Sequence, residues 1–327
     1  MLDDKTVVIY YDRTKQNRDQ KKNDNTSNTF IETAINNLIY FFNQRYQTKA
    51  IAFDKKSVPG DIVIMWSIWC IMKDKTMYRK KIYDMQKNNN KAIICVEKGF
   101  LNRDYYYSIG WNGTVGFGTY FTTGKKMPGD RWNKLRIQLN PIKYNPDGYI
   151  LLCGQLPWDT QLQHINYIDW LLKASKAIQK HSCKKLLYRP HPLFKHNHYE
   201  FYHKKFPKKM THDICQLEGI ETSKHKTLAE AMKGASCVVA LNSTSLIEAL
   251  LTGLPFYCFD KGSLVYDLAN RDWSKIDHPD IYTEKTRLQK CYDIAYTQWN
   301  AEEIKNGDFW PTLAECYEEA LTYNPYK

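Results

Sequence analysis

No apolar run in the 327-residue chain approaches the ~18 to 20 residues needed to cross a bilayer, and the longest candidate, Ile62 to Met72, falls far short. The opening Met1-Leu2-Asp3-Asp4-Lys5 lacks the charged-then-apolar form of a secretory leader, so the expectation is a soluble, cytoplasmic protein, in the host cytoplasm if viral. No C-x-x-C pair exists among the nine cysteines, at 70, 95, 153, 183, 215, 237, 258, 291 and 316. Their odd number and their place in apolar runs such as Ala92 to Val96 predict reduced core residues. A G-x-x-x-x-G-K-[ST] loop is missing, and the glycines at 110, 113, 116 and 118 do not form G-x-G-x-x-G after a strand, which excludes a P-loop and a dinucleotide fingerprint. His196, His198, His203 and His212 lie in a Lys-rich run without cysteine partners or fixed helical spacing, so no metal site is expected. Repeats are absent, and the one low-complexity stretch is the polar run Asp12 to Asn28.

What is present suffices for two domains. The chain is 43% hydrophobic and 14% aromatic, ample for buried cores, and its 47 Lys+Arg against 35 Asp+Glu give a net charge of +12, a balance that favours polyanions. The abundance of Lys, Asn and Tyr, with A/T-heavy codons, points to an A/T-rich bacterial or viral genome.

Strand and helix signals alternate. Val7 to Tyr11 reads as a strand. Thr29-Phe30-Ile31-Glu32 has capping-box form ahead of apolar positions at Ile31, Ile35, Leu38, Ile39 and Phe42, which predicts a helix. Pro59-Gly60 turns the chain into a strand at Ile62 to Met65, residues 73 to 88 read as a charged surface helix, and Ala92 to Val96 as a buried strand. Tyr105 to Pro146 loses periodicity, suggesting loops and a hairpin before a linker near Asn140 to Gly148. A second series follows: strand Tyr149 to Cys153, helix 163 to 180, strand Lys185 to Tyr188, a basic helix 195 to 209, a capped helix opening at Thr227-Leu228-Ala229-Glu230, strand Cys237 to Leu241, helix Ser245 to Thr252 stopped by Gly253, and strand Pro255 to Phe259. This rhythm predicts an α/β fold of two Rossmann-like domains, 1–145 and 146–310, with mostly parallel sheets facing a central cleft and a final helix, 311–327, packing back on the first. Ligands of such sheets bind at the carboxyl ends of the strands, so the residues just after each strand are the candidates.

Four strand ends carry chemistry. Asn242-Ser243-Thr244-Ser245 precedes a helix, whose N-terminal N–H groups with flanking hydroxyls suit phosphate, although the hydroxyls would serve equally as plain caps; Glu248 lies one turn on, placed for ribose hydroxyls. Arg189-Pro190-His191-Pro192 holds a cation and an imidazole on a proline-braced turn suited to a diphosphate, or a structural histidine. Gln155 to Asp159 and Glu97 put carboxylates after two strands; facing one cleft, they would activate an acceptor hydroxyl and stabilise an anomeric cation, while alone each would cap a helix or pair with a lysine.

These segments together resemble the bacterial capsule-polysaccharide synthesis family that includes 3-deoxy-manno-octulosonic acid (Kdo) transferases. The likeness lies in E-x-G-F at Glu97-Lys98-Gly99-Phe100, Q-x-x-x-D at Gln155 to Asp159, [KR]-P-H-P at Arg189 to Pro192, and a hydroxyl-rich Ser243-Thr244-Ser245 ahead of Glu248-Ala249-Leu250-Leu251-Thr252-Gly253-Leu254-Pro255, over residues 95 to 260. It implies a metal-independent GT-B glycosyltransferase, hexosyl or pentosyl, needing no cofactor beyond its nucleotide-sugar donor, here expected to be a UDP-sugar. Asp159 and Glu97 would be its catalytic carboxylates, with the donor held by Arg189, His191, Asn242, Ser243, Thr244, Ser245, Glu248 and Gln155. Pro157-Trp158 and the Tyr105 to Tyr107 run depart from the Kdo enzymes, so the donor sugar does not carry over.

For the acceptor, Arg13, Lys15, Arg18, Lys21 and Lys22 form a basic loop, and Arg103, Tyr106, Trp111, Lys125, Lys126, Arg131 and Trp132 interleave cations with aromatics, as a DNA-binding surface that stacks a displaced base would. The same aromatics would stack on sugars, and the lysines would serve as a solvated face. The chain also resembles products of bacteriophage genes, among which glycosyltransferases decorate hydroxymethylated pyrimidines, so the leading expectation is DNA modification: transfer to 5-hydroxymethylcytosine in double-stranded DNA. The alternatives are a transferase building a capsule, cell-surface or virion polysaccharide, and a non-catalytic nucleic-acid-binding module on the same scaffold.

Overall fold

The structure is a computed structural model that describes residues 2, 4–11, 25–52, 57–68, 78–113, 115, 118–157, 159–162, 164–192 and 220–322, excepting the side chains of 25–28. The basic loop from Arg13 to Lys22, Trp158, the basic helix 195 to 209, the histidines at 196, 198, 203 and 212, and Cys70 and Cys215 lie outside the described residues. The chain divides into two units, Met1–Leu135 with Tyr292–Pro325, and Arg136–Cys291.

In the first unit, β1 (Thr6–Tyr11), β2 (Gln47–Ala52), β3 (Ile62–Trp66), β4 (Ala92–Lys98), β5 (Tyr106–Trp111) and β11 (Gln298–Asn300) form a sheet in the order β11-β5-β4-β3-β1-β2. The four strands β2, β1, β3 and β4 are parallel, and β5 and β11 run antiparallel at one side. The inner strands read as unbroken apolar runs because both faces are covered. Val7, Ile9, Ile62 and Ile64 point to a core shared with Leu38, Phe41 and Phe42 of α1 (Asn25–Asn43) and with Phe309, Trp310 and Tyr317. Val8, Tyr10, Val63 and Met65 point the other way, to Ile82 of α2 (Tyr78–Asn88). The short α3 (Asp130–Leu135) ends this part.

In the second unit, β6 (Tyr149–Cys153), β7 (Leu186–Arg189), β8 (Ile220–Thr222), β9 (Ala235–Ala240) and β10 (Phe256–Cys258) form an all-parallel sheet in the order β10-β9-β6-β7-β8. Its helices are α4 (Tyr167–His181), α5 (Leu228–Lys233), α6 (Ser245–Thr252) and α7 (Glu284–Ala295). Thr227 and Glu230 form the expected capping box on α5. Gly253 closes α6 at φ +77, where any Cβ would stand 2.3 Å from the Pro141 carbonyl oxygen. The carbonyls at that helix end take further donors from the buried Arg287, whose Nε donates to Leu250 and Nη2 to Leu251.

Two mostly parallel α/β sheets are thus as expected. Several details differ. The chain returns to the first unit at Tyr292, earlier than residue 311, because β11 completes the first sheet and α8 (Ala301–Asn306) packs on α1; the last helix is two, α9 (Trp310–Glu315) and α10 (Tyr317–Thr322). Helix α1 begins at Asn25, so Thr29 lies inside it and its carbonyl accepts from the Thr33 hydroxyl; the capping-box pattern there does not mark a start. The polar edge strand β2 was not expected from its sequence. Of the cysteines, Cys183 is exposed rather than a core residue, since it sits in the turn between α4 and β7; the other described ones are buried and all are free.

Candidate functional site

The second sheet brings its predicted residues to one edge. Because all five strands are parallel, the segments after β6, β7, β9 and β10 leave the sheet on the same side. Connections run from β6 to β7 and β8 in one direction and from β9 to β10 in the other, so the strand order reverses between β6 and β9, where a doubly wound sheet opens a crevice.

Two buried amides span that point. Gln155 Nε2 donates to Asn242 Oδ1 at 2.7 Å, and the Asn242 backbone N–H donates to Gln155 Oε1 at 3.2 Å. Gln155 is held in turn by the Tyr167 hydroxyl, which accepts from its backbone N–H at 2.7 Å. Gly154 precedes it because a Cβ there would lie 2.6 Å from the Tyr188 hydroxyl.

The hydroxyl-rich segment enters α6 without spending itself on capping. Thr244 occupies the N-cap position and makes no side-chain cap bond. Ser243 Oγ accepts from the Ser245 backbone N–H at 3.2 Å. Ser245 is 6% exposed, and its Oγ lies beside the Cys153 thiol without a regular hydrogen-bond partner. A buried hydroxyl left unsatisfied at a helix N-terminus is a donor awaiting an oxygen. Burial pushes the Cys153 thiol up to about 11, so it stays neutral below these hydroxyls. Glu248 is exposed one turn along α6.

The proline-braced turn is on the same edge. Arg189 does not project freely as expected: Nη1 donates to the His225 carbonyl at 2.8 Å and Nη2 to that of Lys226 at 3.3 Å, tethering the segment between β8 and α5. His191 is half-buried two residues beyond β7.

Asp159 sits in the turn after β6. Burial raises its pKa above the ordinary carboxylate value, against the hydrogen bond its Oδ1 accepts from the Gln161 N–H at 3.0 Å. Sequence reasoning missed Asp260 and His164. Asp260 is 3% exposed, accepts from Asn242 Nδ2 at 2.7 Å and from Gly262 N–H at 2.8 Å, and lies 3.0 Å from His164 Nε2. The strand-end rule applied to β10 would have found Asp260, which follows it directly.

The first unit treats its candidates differently. Glu97 is half-buried within β4 and faces Ser108 of β5 in the register. The turn that follows is pinned by the fully buried Gln298 of β11, whose Oε1 accepts from the N–H groups of Phe100 and Leu101, both at 2.8 Å, and whose Nε2 donates to the Leu101 carbonyl. Gly99 is the residue that admits this: a Cβ would stand 2.9 Å from Gln298 Oε1 and from the Tyr106 carbonyl oxygen.

Three of the seven expected acceptor residues, Trp111, Arg131 and Trp132, belong to the core. Trp111 is fully buried, because β5 is covered on both faces, and its Nε1 donates to the Leu313 carbonyl at 2.6 Å. Arg131 is buried over the Trp299 ring at 3.6 Å, with Glu303 at 2.9 Å and the carbonyls of Ala295 and Gln298 taking its remaining donors. Trp132 is buried and Tyr106 half-buried in β5. Arg103, Lys125 and Lys126 are exposed, and Lys125 pairs with Glu315. Among the described residues, no three His, Cys, Asp or Glu side chains converge as a metal site would need, and no helix is long and apolar enough to cross a membrane.

A family model described as LIC12162 family transferase matches residues 96–264, just over half of the chain. The matched span contains Glu97, Asp159 and the whole carboxyl edge of the second sheet. No curated protein matches the chain. Among solved structures, the β-Kdo 2,4-transferase of Thermosulfurimonas dismutans KpsC superposes with a TM-score of 0.50 at 11% identity, covering 93% of this chain and 98% of that one. The β-Kdo 2,7-transferase of the same protein gives 0.44 at 15% identity, covering 93% and 99%. The first of these is a likeness of fold, that of a GT-B enzyme with two Rossmann-like units.

Proposed function

The chain belongs to the LIC12162 family of transferases, and from that premise we propose that it moves a sugar from a nucleotide-sugar donor to a hydroxyl of a glycan. The observation that carries this reading is that the carboxyl edge of one parallel sheet holds a helix start with the Thr244 and Ser245 hydroxyls unspent on capping, a proline-braced imidazole and a carboxylate of raised pKa. Phosphate oxygens of the donor would lie at the α6 start, accepting from Ser245 Oγ and Thr244, with His191 beside them and Glu248 toward the nucleoside. In this reading the phosphates need no metal. Arg189 supports the site by tethering the segment around His225.

The chemistry then follows. Asp159 takes the proton of the acceptor hydroxyl as its oxygen bonds to the anomeric carbon, and the bond from that carbon to the donor phosphate breaks, its electron pair leaving with the nucleotide. A buried carboxylate is the more basic for its burial, which suits a general base. Kdo transfer by the structural neighbours supports a saccharide acceptor. What supports 5-hydroxymethylcytosine in DNA is narrower: the net charge of +12 and the exposed Arg103, Lys125 and Lys126, without the aromatic platform that Trp111 and Trp132 would have given.

A thermal-shift panel of UDP, GDP, dTDP and CMP tests the donor site, with UDP the first expected. A true ligand at ~100 times its Kd adds about 2.7 kcal/mol, and the shift should vanish in Ser245→Ala with His191→Ala. No shift from any nucleotide overturns the reading. Labelled donor sugar offered with oligosaccharide, hydroxymethylated duplex and plain duplex then decides the acceptor. Label absent from the hydroxymethylated duplex rejects DNA, and transfer abolished by Asp159→Asn rejects a purely binding role.

A further inference from the structure

The buried chain Asp260–Asn242–Gln155 runs in one direction, and we infer that Asp260, backed by His164, is a positioning residue that sets this direction and thereby holds Asp159. The inference rests on the reading of Asp159 as the base. As a carboxylate, Asp260 offers acceptors only, and two donors converge on it, Gly262 N–H on Oδ1 and Asn242 Nδ2 on Oδ2, with His164 Nε2 3.0 Å from Oδ2. Asn242 must therefore turn its NH2 toward Asp260. Its Oδ1 is then left for Gln155 Nε2, and Gln155 Oε1 for the Asn242 N–H. The second Asn242 Nδ2 hydrogen reaches the Gln161 carbonyl at 3.3 Å, while the Gln161 N–H holds Asp159 Oδ1 at 3.0 Å. One carboxyl group thus orders two amides and both ends of the turn that carries the base. His164, with its side chain 17% exposed, closes Asp260 off from solvent.

The ordering makes a specific failure foreseeable. In Asp260→Asn, an amide oxygen turned to Gly262 leaves an NH2 facing the Asn242 NH2. Asn242 must then flip, and Gln155 after it, until an NH2 meets the fixed Asn242 N–H and the Gln161 carbonyl loses its donor. The frustration cannot be passed further, so it ends at the Asp159 turn. Exchanging the two groups, in the double variant Asp260→Asn with Asn242→Asp, restores the order at the amides: the new carboxylate accepts from Gln155 Nε2 on one side and from the new amide on the other, and the long Gln161 contact alone lacks its donor.

The test measures kcat and donor KM of sugar transfer, with melting temperature, for the wild type, Asp159→Asn, Asp260→Asn and the exchanged pair. Asp260→Asn should lose about 100-fold in kcat with donor KM within about threefold, the size of effect a displaced catalytic group produces. The exchanged pair should recover to within about tenfold of wild type. A loss that merely follows the folded fraction, a loss carried by KM, or an exchanged pair no better than Asp260→Asn overturns the proposal. If Asp159→Asn is fully active, the reading of the base fails instead. A crystal structure of Asp260→Asn decides independently of activity: a reoriented Asn242 amide and displaced Asp159 are expected, and an unchanged turn overturns it.

Discussion

The carboxyl edges of the two sheets are held in different ways. At the second, side chains from the ends of β6, β9 and β10 bond to one another, with Gln155, Asn242 and Asp260 filling the reversal point and leaving hydroxyls of the α6 start uncommitted. At the first, one glutamine from a distant strand pins the backbone after β4, and the cations and aromatics nearby are consumed by the core, as Arg131 is by Glu303 and Trp299. Position after a parallel strand gathered the candidates of the second unit on one edge of its sheet. Cations interleaved with aromatics did not, because the same pairing builds buried cation–π contacts as readily as a binding face.

The largest expected effect sharpens this contrast at Asp159. Asp159→Asn should lower kcat by about 10² to 10⁴, the range of a removed general base. The pH dependence has a definite sign. Burial raises the folded-state pKa, so activity falls as pH drops through that raised value. Stability moves oppositely: the folded state binds the proton more tightly than the unfolded one, and stability declines as pH rises from the ordinary carboxylate value through the raised one. Asp159→Asn should therefore melt no lower than wild type at neutral pH, by calorimetry. A clear loss of melting temperature there would put Asp159 among the structural residues.

Next in size is Arg131→Ala, which should cost about 3 to 5 kcal/mol by denaturant unfolding, since it empties a buried guanidinium site, takes the cation from the half-buried Glu303 and frees two carbonyls. Nucleotide binding by the folded fraction should be unchanged. Near-wild-type stability with lost acceptor binding would return Arg131 to the surface set and erase the contrast.

Gly99→Ala comes third. Its Cβ would press on Gln298 Oε1 and the Tyr106 carbonyl oxygen, and the strain should cost about 1 to 3 kcal/mol, relieved in part by Gln298→Ala in the same chain. Additive losses in the double variant would show that Gln298 is not what requires the glycine.

These sites also explain how far the sequence could be read. Where a signal is local it held: the Thr227 box and Gly253 as a left-handed stop. Thr29 misled because the same four-residue pattern occurs inside a helix that polar residues extend backward to Asn25. β2 and β11 stayed hidden, one being a polar edge and the other three residues long. Asp260 and Gln298 act through partners far along the chain, and no periodicity announces a contact between Phe100 and Gln298, 198 residues apart.

The smallest effect lies at the amino end of the first sheet, opposite that sheet's own carboxyl edge. Asp61 Oδ2 accepts from the backbone N–H of Thr6 at 2.9 Å and from its hydroxyl at 2.8 Å, and Lys91 approaches Oδ1 at 3.2 Å, so β1 and β3 are clasped where they start. The Thr6 backbone bond, foremost among these, lowers the carboxyl pKa to about 2. A depressed folded-state pKa gives stability that is present above the ordinary carboxylate value and is lost as pH falls through about 2. Asp61→Asn should thus cost about 1 kcal/mol at neutral pH, the side chain being partly solvated, and nothing below about pH 2. Transfer by the folded enzyme should be untouched at any pH. A change in kcat from this substitution would mean that the amino end of the first sheet communicates with the chemistry, and strand-end position would then no longer separate the residues that act from those that only hold.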